Sequence, residues 1–156
     1  HALDDPRVRL VVDDGFRWLR DAGRAGDDTA GFDAVVVDLP DPDTPTLGRL
    51  YSTEFYGLVA RVLAPGGQLV VQSGSPYSTP QAYWRTVSTV ASAGLGVTPY
   101  HVHVPSFGDW GFTLAQAGGP PPLALSPRAP ELRFLDDAGL AAAAVFPRDR
   151  PRLDLE

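Results

Sequence analysis

Cysteine and methionine are both absent from the 156 residues. Without thiols there is no disulfide framework, no thiolate metal site and no cysteine nucleophile. Basic residues are the minority, 13 against 19 acidic, giving a net charge of −6. No basic stripe exists to track phosphates, which argues against a nucleic-acid partner. An acidic surface attracts cations weakly instead. No apolar run approaches the length of a membrane span, and no signal peptide is evident. The chain starts at His1-Ala2 and ends at Leu155-Glu156, which reads as an excised or processed segment with the last pair a fusion scar.

The length suits one domain with a real core. Val8 to Val12 reads as a β-branched strand, and Asp13-Asp14-Gly15 turns it into a helix with Phe16 and Leu19 on one face. Gly23 to Gly31 reads as a polar loop. Phe32 to Asp38 is a second strand whose unbroken valines suggest burial on both faces. Ser52 is placed to cap a helix carrying Phe55, Leu58, Val59, Val62 and Leu63 at helical spacing. Ala64-Pro65-Gly66-Gly67 stops it, and Leu69-Val70-Val71 is a third strand. Thr79-Pro80 starts a helix that buries Tyr83, Trp84, Val87, Val90 and Ala91 and ends at Gly94. Strands over Thr98 to Val104 and Gly111 to Ala115, joined by a short turn, predict an antiparallel pair. The turn holds Trp110, a candidate lid. Gly118 to Pro130 is an exposed Gly/Pro-rich loop, and Asp136 to Phe146 is a final short helix. The order is that of an α/β fold.

Chemistry concentrates at Asp38-Leu39-Pro40-Asp41-Pro42, directly behind Ala34-Val35-Val36-Val37. Two carboxylates three residues apart stand where a buried strand leaves its sheet, the usual edge for ligands in open α/β sheets. Such a pair suits an amine that must lose a proton to react. The plainer reading is that the acids cap the following turn. Asp13-Asp14-Gly15 likewise has a plain reading as a solvated strand-to-helix turn. His101 and His103 alternate on one strand face, but no third ligand has metal spacing, and no metal is expected.

Several signatures in one order carry a resemblance. They are Val12-Asp13-Asp14-Gly15-Phe16, Asp38-x-x-Asp41-Pro42, Leu50-Tyr51-x-x-Glu54-Phe55-Tyr56, Leu63-x-Pro65-Gly66-Gly67, Gln72, and the strand and turn from Tyr100 to Gly111. Asp5 to Ala115 resembles the C-terminal half of a spermidine synthase, the polyamine aminopropyltransferase family. Phe146-Pro147-Arg148-Asp149 is similar to members fused to a membrane region. The resemblance implies a partial Rossmann-like sheet of the S-adenosylmethionine-dependent methyltransferase type. That sheet is mostly parallel, closes with a C-terminal antiparallel hairpin and lacks its first strands. Residues 1–117 would be the C-terminal part of the catalytic domain, 118–130 a loop, and 131–156 an extension of the same domain.

The family moves an aminopropyl group from decarboxylated S-adenosylmethionine to an amine, usually putrescine. The donor is a co-substrate, and no tightly bound cofactor is implied. By resemblance Asp38 is the proton acceptor and Asp41 an amine anchor. Pro45 contacts the nucleoside, Asp14 bonds the adenine amino group, and Gly15 permits close backbone approach. Gln72 lines the same crevice. Phe107 stands where the family usually has a tyrosine, and losing one hydroxyl hydrogen bond is worth about 0.5–1.5 kcal/mol. Substrate preference is therefore open.

The family's glycine-rich nucleoside loop would lie upstream of Val8, and no such cluster is present. The isolated chain is therefore expected to be inactive or nearly so. Two further strands of such a sheet would separate the Val8 and Ala34 strands. Their absence predicts self-association through the open edge, as a dimer, or movement of the Val8 strand to cover it. A cytoplasmic location is expected, and whether the parent is joined to a membrane region stays open. The rival readings are a methyltransferase on the same fold and a non-catalytic remnant that binds polyamines or proteins.

Overall fold

A computed structural model describes residues 2–22, 31–40, 42 and 44–153. Helix α1 spans Gly15–Ala22, strand β1 Phe32–Val37, and helix α2 Pro45–Gly48, followed by a 3-10 turn over Arg49–Tyr51. Helix α3 covers Thr53–Val62, strand β2 Leu63–Gly74, and helix α4 Pro80–Ser92. Strands β3, Gly96–Val104, and β4, Gly108–Gln116, precede the short helix α5, Asp137–Ala143.

The four strands form one sheet in the order β1-β2-β4-β3. β1 pairs with β2 in parallel, and β4 runs antiparallel to both neighbours. Three strands thus point one way and β4 alone opposes them, as a mostly parallel sheet with a terminal hairpin requires. The strand predicted at Leu69–Val71 is longer than expected. Leu63 already pairs opposite Phe32, and the ladder resumes at Gln68 opposite Ala34, so Ala64-Pro65-Gly66-Gly67 forms a bulge within the strand.

The helix signals act as read. Ser52 Oγ accepts from the Phe55 amide at 3.2 Å, which starts α3. Gly94, with φ +86°, follows the end of α4 in a conformation disfavoured for other residues. The main core joins Phe16 and Leu19 of α1, Phe55, Leu58 and Val59 of α3, and Leu69 and Val71 of β2. Register puts Val37, Val71 and Thr113 in one row on that face. Val36, Val70 and Leu114 form a row on the opposite face.

Val8 to Val12 forms no strand, which corrects the expectation from sequence. β-branched residues supply propensity, but a ladder needs a partner strand, and none is present for this segment among the described residues. Val12 is 92% exposed. Nor does the segment move onto the edge of β1. That outer edge is unpaired among the described residues, and Val36 beside it is 72% exposed.

Candidate active site

The carboxyl end of β1 delivers Asp38 into solvent. Among the described residues nothing hydrogen-bonds to its carboxylate or pairs with it. The capping reading of Asp38 is therefore not realised. Thr44 caps α2 instead, its Oγ1 accepting from the Leu47 amide at 3.2 Å. Asp41 lies outside the described residues. Asp38 follows Val37 just past the end of β1, and Gln72 follows its partner Val71 within β2; Gln72 is in the lining of neither cavity flanking the Asp38 loop. Neighbouring strands stand about 4.8 Å apart.

A cavity of about 310 Å³ opens between α1 and the outer edge of β1. Asp13, Gly15 and Trp18 contribute from one side, and Val36, Val37 and Asp38 from the other. A Cβ placed on Gly15 would meet nothing within 4 Å, so this wall is open to an occupant. Asp14 has a structural duty: its Oδ1 accepts from the Arg17 amide at 3.0 Å, capping α1. Asp13, rather than Asp14, lines the cavity. The Asp14 amide and the Arg17 guanidinium both donate to Asp13 and hold its carboxyl below the usual range. Pro45 is the first residue of α2, exposed and outside this lining.

A second cavity, of about 350 Å³, lies on the other side of the Asp38 loop. Pro42 and Tyr51 face Ser73 and Gly74 at the end of β2, with Thr79 and Arg85 of the α4 region closing it. A broader depression of about 600 Å³ shares Thr79, Ala82 and Arg85 with it, and among the described residues neither is lined by a carboxylate. The sequence marks Tyr51 only as part of a motif; its hydroxyl donates to the carbonyls of Leu39 at 3.1 Å and Pro40 at 2.9 Å. That role carries no signature in a sequence, because it joins residues eleven and twelve positions apart.

Phe107 sits at the tip of the β3–β4 turn, 64% exposed, with its ring 5.1 Å from that of Trp110. Neither residue lines the two cavities beside Asp38. Trp110 belongs to β4, opposite Val102, rather than to the turn where sequence placed it. His101 is engaged structurally: Nδ1 lies 2.6 Å from Asp109 Oδ1, and Nε2 donates to the Val145 carbonyl at 2.9 Å. The Phe146 ring packs on His101, Trp84 and Tyr83, so the segment after α5 is tied to the α4 side of the sheet. No cluster of three or more His, Cys, Asp or Glu that could hold a metal is found among the described residues. No described helix is long and apolar enough to cross a membrane.

These features define an α/β protein with its cleft at the carboxyl ends of β1 and β2. The same fold appears in a spermidine synthase solved with the transition-state analogue AdoDATO, with a TM-score of 0.77 at 22% identity. That match covers 95% of this chain and 51% of the other. The Thermotoga maritima spermidine synthase gives 0.76 at 20% identity, covering 95% and 50%. A family model for the spermine/spermidine synthase domain matches residues 1–123, and the chain belongs to that family. The polyamine aminopropyltransferase of Mycobacterium tuberculosis is 63% identical over 153 residues, 97% of this chain. Polyamine aminopropyltransferase 1 of Streptomyces coelicolor is 51% identical over 155 residues, 99% of this chain. The chain spans 29% and 28% of the lengths of these two relatives.

Proposed function

We propose that this chain carries the proton-accepting face of a polyamine aminopropyltransferase, with decarboxylated S-adenosylmethionine as donor and putrescine as the preferred acceptor. The observation that carries the reading is Asp38, a carboxylate with no structural partner among the described residues, on the wall of an open cavity. A carboxylate left unpaired at a strand end is available to take a proton.

The reaction sets the roles. The amine lone pair attacks the methylene beside the donor's sulfonium, the new C–N bond forms, and the C–S bond breaks. Its electron pair leaves with the sulfur as a neutral thioether. The attacking nitrogen sheds one proton, which Asp38 accepts. Asp41 holds the distal ammonium and aligns the nucleophile, lowering the entropic barrier. Gln72, near the end of the neighbouring strand, is assigned to the amine end of the site. The cavity along Asp13 and Gly15 takes the nucleoside, and Asp14 and Pro45, outside its lining, are assigned to the adenine amino group and the nucleoside. Phe107 offers no hydroxyl at the turn, which leaves selectivity among amines to the remaining groups. The open edge of β1 supports pairing of two copies, and the isolated chain is read as inactive.

The test uses the complete gene product that contains this sequence. It is supplied with decarboxylated S-adenosylmethionine or with S-adenosylmethionine, each with putrescine, and the amine products are separated. Spermidine from the first donor and no methylated amine from the second is expected. Methyl transfer, or binding without turnover of either donor, overturns the reading.

A further inference from the structure

We infer that Tyr51 is a positioning residue for the proposed reaction, acting through its phenol hydroxyl on the loop that bears Asp38. The inference rests on the reading of Asp38 as proton acceptor. After β1 the chain enters Leu39-Pro40, and the carbonyls of both residues point to one donor, Tyr51 Oη, at 3.1 and 2.9 Å. Proline has no amide hydrogen, so neither Pro40 nor Pro42 can fix the loop by donating from its own backbone. Tyr51 supplies the missing donor from outside. Its own place is rigid: it ends a 3-10 turn whose following residue, Ser52, caps α3 and donates from Oγ to the Arg49 carbonyl at 2.7 Å. At its far end the loop is held by Thr44, whose side chain caps α2 and whose carbonyl accepts from the Gly48 amide at 2.8 Å.

Among the described residues, Leu39 and Pro40 next to the carboxylate are held by the Tyr51 hydroxyl, and Thr44 is held by its cap on α2. The Tyr51 ring has a separate task, since it lines the cavity shared with Pro42, Ser73 and Gly74. Hydroxyl and ring can therefore be separated by substitution. Tyr51→Phe keeps the wall and removes the tether. Tyr51→Leu removes both.

A tether that sets the direction of a base acts on turnover, because misdirected carboxylates bind substrate but transfer protons poorly. Losing one shared hydrogen bond corresponds to roughly a 3- to 10-fold change. In the complete gene product, Tyr51→Phe is expected to lower kcat by about that factor, with the KM values for donor and amine within about twofold of wild type. Tyr51→Leu is expected to raise the KM for the amine as well. Amide hydrogen exchange across residues 38–44 is expected to quicken in the Phe variant, a readout independent of turnover. Wild-type kcat in Tyr51→Phe, a rise in KM with kcat unchanged, or unaltered exchange in that loop overturns the inference. Asp38→Asn is assayed alongside. If it is inactive while Tyr51→Phe behaves as wild type, only the tether fails. If Asp38→Asn keeps full activity, the reading of Asp38 fails and the tether's role falls with it.

Discussion

Replacing Gly111 by alanine probes the contact between α4 and the sheet. A Cβ at this position would stand 2.3 Å from Tyr83 Cε2, 2.6 Å from Tyr83 Cδ2 and 2.9 Å from the Gly74 carbonyl oxygen. Carbon atoms at rest are about 3.5–4.0 Å apart, so more than an ångström of overlap must be relieved. The Tyr83 ring cannot swing into solvent, because it is 0% exposed and packed edge-on against Trp84 with centroids 4.9 Å apart. Its hydroxyl also donates to the Tyr100 carbonyl at 3.3 Å and, at the limit of bonding distance, to that of Phe112 at 3.5 Å. Relief must come from backbone movement of β4 or α4. Overpacking of this kind costs about 1–3 kcal/mol, and the rigidity here puts Gly111→Ala near 3. For a chain of this size that lowers Tm by roughly 6–12 °C. Urea and thermal unfolding of Gly111→Ala, Tyr83→Leu and the double variant provide the assay. The double variant should be less destabilised than the sum of the two single changes, because leucine withdraws the ring atoms from the new methyl. A loss below about 0.5 kcal/mol for Gly111→Ala, the range of inconsequential surface changes, would refute the packing argument.

Two further outcomes concern the buried phenols. Tyr56 is 0% exposed, and its hydroxyl has no hydrogen-bond partner among the described residues. Tyr56→Phe should therefore hold or raise the unfolding free energy, by up to about 1 kcal/mol, while Tyr83→Phe should lower it by a similar amount. Equal losses in the two variants would contradict the different partnering seen for them. Burial, with a smaller contribution from Tyr51, pushes the Tyr56 hydroxyl well above the phenol range; burial, then Asp109 and Tyr100, does the same for Tyr83. In the unfolded chain phenols ionise near pH 10. Above that pH the unfolded state releases protons that the folded state retains, so stability should be full below about pH 10 and fall as pH rises further. Urea midpoints at pH 8, 9.5 and 11 measure this. A midpoint unchanged at pH 11 would contradict it.

Much of the fold is legible in local sequence. Ser52 and the apolar spacing from Phe55 define α3, and Thr79-Pro80 and Gly94 bracket α4, because caps and periodicity act over one or two turns. Val8 to Val12 shows where local reasoning stops. Its composition is that of a strand, but pairing is settled by a partner, and this segment has none among the described residues. The N-terminal part of β2 was hidden for the opposite reason: Pro65-Gly66-Gly67 reads as punctuation, while Leu63 before it already pairs with Phe32 and the segment forms a bulge between two paired stretches.

The site divides in the same way. The placement of Asp38 was legible because a carboxylate behind a valine run marks a strand's carboxyl end, and that of Gly15 because it follows an acidic turn. The exchange of Asp13 for Asp14 at the cavity wall was not, since which of two adjacent acids caps a helix depends on helical phase. Long-range ties were equally invisible. His101 to Val145 spans 44 residues, and the hold of Tyr51 on Leu39 and Pro40 spans a loop and a turn.

The most direct measurement is spermidine formation from decarboxylated S-adenosylmethionine and putrescine by the complete gene product and its Asp38→Asn variant, with folding of both verified by thermal unfolding. Removing a positioned proton acceptor typically costs 10²- to 10⁴-fold in rate. A folded Asp38→Asn protein with kcat lowered by about two orders of magnitude or more, and donor binding retained, is the predicted result. A folded variant that turns over at the wild-type rate would contradict the assignment of Asp38.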